Sequence, residues 1–82
     1  MKNFSTEIIQ FDGRKPYVQV DFDGLQLNKD LVQTCLSDVT GVDHVNLNER
    51  GVDKYRAIVY PTNYCDPLEE LLTSINDMLN RL

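Results

Sequence analysis

Residues 17–22 alternate between two characters. Val18, Val20 and Phe22 fall on one side of an extended chain, and Tyr17, Gln19 and Asp21 fall on the other. That period of two predicts a strand with one buried face. Residues 54–60, Lys-Tyr-Arg-Ala-Ile-Val-Tyr, concentrate β-branched and aromatic side chains and stop at Pro61, which predicts a second strand. Val45 and Leu47 alternate with His44, Asn46 and Asn48, giving a strand over 43–49 with one polar face. Residues 5–11 also read as extended, although adjacent Ile8 and Ile9 leave the inward face undecided. The turn cluster Asp12-Gly13-Arg14-Lys15-Pro16 joins this segment to 17–22 as an N-terminal hairpin, and Arg50-Gly51-Val52-Asp53 forms a second turn.

Two stretches change to helical spacing. Asn28 suits an N-cap, Asp30 suits the positive end of the helix dipole, and Leu31, Val32, Cys35, Leu36 and Val39 follow at helical intervals. Gly41 stands where a C′ glycine would stop the chain, so the first helix is expected over 29–40. Asp66-Pro67 followed by Glu69 is a capping arrangement, and Leu68, Leu71, Leu72, Ile75, Met78, Leu79 and Leu82 carry a second helix to the last residue.

The element order is therefore ββαββα. Hairpins pair neighbouring strands antiparallel, and a strand–helix–strand unit crosses over right-handed with its strands parallel. Inserting the fourth strand between the second and third gives an antiparallel or mixed four-stranded sheet of order 1-2-4-3. Both helices then cover one face in a two-layer α+β sandwich. As topology this is a permuted ferredoxin-like sheet, its last strand moved to the N-terminus. A three-stranded sheet with the N-terminal segment loose is the competing arrangement.

In this architecture the core comprises Val18, Val20, Phe22, Leu31, Leu36, Val39, Val45, Leu47, Ala57, Val59, Leu68, Leu71, Leu72, Ile75 and Leu79. The uncovered face carries Tyr17, Gln19, Asp21, His44, Asn46, Lys54, Arg56, Ile58 and Tyr60. A water-facing sheet is ordinarily polar. Tyr17, Ile58 and Tyr60 depart from that rule, either as ordinary cross-strand pairs or as an interface. The edge segments 5–11 and 43–49 carry nothing that clearly blocks pairing with another strand.

Composition narrows the function classes. An 82-residue chain has room for one domain, 1–82, and a domain of that size buries a modest share of its surface. The 13 acidic against 8 basic residues give net charge −5, which argues against a phosphate backbone or an anionic membrane as partner and suits a protein with a basic surface. Residues 1–11 show no basic segment leading into an apolar run, and no run approaches the ~20 residues of a membrane span, so a cytoplasmic protein is expected. Two cysteines, Cys35 and Cys65, are too few for a disulfide framework or a cysteine zinc site.

Catalytic chemistry is thinly represented. His44, the single histidine, and Cys65, just ahead of a helix N-terminus, would be the base and nucleophile of a cysteine enzyme, but no orienting residue or oxyanion motif accompanies them. Cys35 falls on an apolar helix face and reads as a small hydrophobe. Asp21-Phe22-Asp23-Gly24 resembles the start of a calcium loop and lacks its closing glutamate. No metal or cofactor is expected. The loop 61–66 joins the clearest strand to the clearest helix and holds Tyr64, which has no core role. The reading that follows is a non-enzymatic protein-interaction module, an adaptor, regulator or inhibitor, binding through Tyr17, Gln19, His44, Arg56, Ile58, Tyr60 and Tyr64. A dimeric small-ligand sensor is the alternative.

Overall fold

A computed structural model describes residues 3–24, 28–62 and 68–82. The elements in chain order are β1 (Phe4–Ile9), β2 (Tyr17–Asp23), α1 (Lys29–Ser37), β3 (Val42–Gly51), β4 (Lys54–Pro61) and α2 (Leu68–Arg81). The strands make one sheet in the order β1-β2-β4-β3. Every neighbouring pair is antiparallel, so β2 and β3 run parallel to each other on either side of β4.

Register follows from the period-two pattern. Val18 lies opposite Val59 and Val20 opposite Ala57, while Val45 meets Val59 from the other side. All five belong to one buried cluster with Phe22, with Val32 and Leu36 of α1, and with Leu71, Ile75 and Leu79 of α2. The helices therefore share one face of the sheet, α1 packing mainly on β3 and α2 on β1. Each large aliphatic or aromatic side chain buried this way contributes about 1.5–3 kcal/mol.

β1 is a full member of the sheet. It pairs with β2 from Phe4↔Phe22 to Ile9↔Tyr17, which rules out the three-stranded arrangement. Phe4 and Ile8 pack against the core, and Thr6 Oγ1 donates to Asn76 Oδ1 of α2 at 2.9 Å. The turn after β1 closes with Arg14 N donating to Phe11 O at 3.3 Å. Gly13 has φ +76° there, the position a type II turn reserves for glycine.

Four expectations need correction. Phe11 is not in the first strand; β1 ends at Ile9, and Phe11 enters the turn 53% exposed. Leu31 is not core; it is 48% exposed, and Val32 is fully buried instead. Val32 and Leu36 lie four residues apart on one helix face, and Leu31 is rotated by about 100° from Val32. α1 ends at Ser37, where the amide of cap residue Asp38 donates to Thr34 O. Gly41 therefore does not cap it. At φ +97° it turns the chain into β3, and its carbonyl accepts from Thr62 N at 2.9 Å. Leu47, Val39, Leu68 and Leu72 line the rim of the core, half-buried, rather than its centre.

The other local signals fold as expected. Asn28 caps α1 by accepting from Asp30 N at 2.8 Å, and Gln33 Nε2 donates to Val45 O, tying α1 to β3. Asp53, at φ 57°, turns the β3–β4 hairpin. Asp66-Pro67 lies outside the described residues. No helix among the described residues is long and apolar enough to cross a membrane.

The phase of each helix can be measured. In urea denaturation, Leu36→Ala and Ile75→Ala are each expected to cost about 2–5 kcal/mol, whereas Leu31→Ala should cost under about 0.5 kcal/mol. A Leu31→Ala cost equal to that of Leu36→Ala would mean α1 is rotated.

Candidate functional site

The face turned away from the helices is built by the other half of each strand's alternation. Three rows of side chains cross it. Ser5, Asp21, Arg56 and Asn48 form one row, and Glu7, Gln19, Ile58 and Asn46 form the next. The third begins at Ile9↔Tyr17 and ends at Tyr60↔His44.

The third row is aromatic. Phe11 and Tyr17 have ring centroids 6.4 Å apart, Tyr17 and Tyr60 5.9 Å, and both pairs are tilted by just under 50°. His44 stacks on Tyr60 at 4.3 Å with 19° between planes. Strands lie about 4.8 Å apart, so same-face neighbours bring large rings into contact without distortion. The row thus runs unbroken from the β1–β2 turn to edge strand β3.

A bulge finishes its outer end. The β3–β4 register shifts between Val42 and His44, leaving Asp43 as the extra residue. Its carboxylate accepts from His44 Nδ1 at 2.7 Å, which orients the imidazole over Tyr60. Both side chains stay more than half exposed. A cleft of about 520 Å³ lies beside this corner, lined by Lys15, Pro16, Asp43, His44, Tyr60 and Thr62, with Pro61 between the last two.

The polar row is tied together by charge. Arg56 Nε donates to Asp21 Oδ1 at 2.7 Å across the β2–β4 pair, and Gln19 Nε2 donates to Asp21 Oδ2 at 3.2 Å. Both oxygens of Asp21 are engaged, and the guanidinium is held by one nitrogen in a defined orientation.

Six of the residues expected at the site, Tyr17, Gln19, His44, Arg56, Ile58 and Tyr60, share this one face. Tyr64 and Cys65 lie outside the described residues, so the His44–Cys65 pairing does too. Cys35 is half-buried with a free thiol. Sequence reasoning missed Phe11 as a member of the ring row. Its signal was the Asp-Gly turn directly behind it, which folds the chain back toward Tyr17. Among the described residues no group of His, Cys, Asp and Glu is placed to hold a metal ion. Compared with models of known protein families and with curated protein sequences, the chain matches none.

The Asp21–Arg56 pair is partly solvated, its side chains 42% and 33% exposed. Asp21→Asn is therefore expected to lower stability by under about 1 kcal/mol and to lose part of that difference in high salt. Urea midpoints at low and high ionic strength check this. A loss of several kcal/mol would show that the pair organises the sheet itself.

Proposed function

We propose that this chain is a small, acidic, non-enzymatic interaction module that binds another protein on its open sheet face. The observation that carries this reading is the unbroken row Phe11–Tyr17–Tyr60–His44 on the face that neither described helix covers. Tyrosine combines large apolar area with a hydroxyl and few rotamers to freeze, which makes it a frequent anchor in protein interfaces. The cleft beside Tyr60 and His44 suits a projecting side chain of the partner. Asp43 at that corner and Glu7 on the adjoining row offer carboxylates, and the net charge of −5 favours a partner with a basic surface. Steering of that kind raises association rates and weakens with salt.

The class this describes is an adaptor, regulator or inhibitor that acts by occupying a partner's surface. Nothing in the reading requires a reaction. The face would be covered in the complex, while α1 and α2 stay exposed on the far side.

The test uses affinity capture from the source cell with wild-type protein, a Tyr60→Ala variant and a helix-face control, Asp77→Ala. The captured protein is then titrated onto labelled chain and its contacts mapped by amide chemical shifts. The expected result is a partner retained by Asp77→Ala, lost or weakened at least tenfold by Tyr60→Ala, and shifting Tyr17, Ile58 and Tyr60. Equal capture by Tyr60→Ala, or shifts confined to the helices, would overturn the reading. Sedimentation of the free chain reports whether the same face instead pairs two copies.

A further inference from the structure

The opposite end of the sheet holds a cavity of different chemistry. It has a volume of about 530 Å³, within the range of small-molecule sites. Its cationic lining is Arg50, Lys54 and Arg56, and its acidic lining is Asp21 and Asp23. Cations thus outnumber carboxylates here by one, in a chain whose net charge is −5.

One of the two carboxylates is already engaged. Asp21 gives one oxygen to Arg56 Nε and the other to Gln19. Asp23 stands directly opposite Lys54 in the β2–β4 register. Arg56 uses only Nε in its ion pair, so the fork of its two terminal nitrogens has no described partner while its orientation is fixed. A guanidinium held in that way binds an oxyanion at two points with little entropy left to lose. Arg50 and Lys54, at the two ends of the β3–β4 turn, supply further charge from the rim. Phe4 and Tyr55 also border the cavity, while strand alternation packs their side chains against the core on the other face.

We propose that this cavity is a binding site for a small oxyanion, a phosphate or carboxylate group, free or carried by a small molecule. The oxyanion sits on the Arg56 fork between Arg50 and Lys54. The site is independent of the ring row, which occupies the other end of the same face.

The experiment is titration of the folded chain with inorganic phosphate, adenosine monophosphate and benzoate, followed by calorimetry and by amide shifts. Phosphate reports the bare oxyanion, and the two organic probes report either group carried by a small molecule. The expected result is that phosphate and at least one of the organic probes bind, with shifts at Ser5, Asp21, Lys54 and Arg56. Affinity should fall at least tenfold in the double variant Arg50→Ala/Lys54→Ala, whose exposed turn positions leave the fold intact. Arg56→Lys, which keeps the charge and removes the fork, should also weaken binding, and Tyr60→Ala should leave it unchanged. The proposal is overturned if no probe produces shifts at this end, or if the double variant binds as well as wild type. Because Tyr60→Ala separates the two faces' functions, loss of partner capture and loss of anion binding are distinguishable.

Discussion

One-sided burial of the central strands is the constraint on which the rest depends. β2 and β4 pair with each other in the middle of the sheet, and their inward residues Val18, Val20, Phe22, Ala57 and Val59 are almost wholly removed from water. Two amphipathic helices are the only other elements besides the strands among the described residues, and both are spent on that face. In this small domain no third layer among the described residues covers the reverse side. Every second residue of the central strands is consequently presented to solvent on a backbone that the core holds rigid.

What stands on that reverse side divides along the strands. Near the β1–β2 turn it is aromatic, from Phe11 to His44. Toward the β3–β4 turn it is ionic, around Arg56 and Asp21. Both halves inherit their spacing from the sheet, because cross-strand neighbours have no freedom to drift apart. Local irregularities refine the pattern: the bulge at Asp43 orients His44, and Gly41 and Asp53 place the two ends of β3 by adopting positive φ. The ring row and the candidate anion cavity are thus two uses of one scaffold, with the row that contains Ile58 between them.

Much of the fold was legible in the chain. Clean alternation in 17–22 and 54–60 identified the central strands, and their inward residues are the ones found buried. Six of the seven site residues could be placed on one face because period two assigns a strand residue to a side before any partner is known. The helical phase of α1 was less legible: Leu31 and Val32 are both apolar, so pattern alone could not choose between them. The end of α1 was misplaced for a related reason, since a glycine signals positive φ without saying whether a helix or a turn requires it.

By itself, then, the sequence determined the element order, the buried side of the central strands and the net acidity of the chain. These are properties of local period and composition, and they survive without knowledge of neighbours. Tertiary structure alone decided which residues meet. Asp21 finds Arg56 at a sequence separation of 35, Thr6 reaches Asn76 at a separation of 70, and Phe11 joins a ring row begun on other strands. Such contacts depend on register and on the antiparallel pairing of β2 with β4, which bring distant positions together at distances no local pattern encodes.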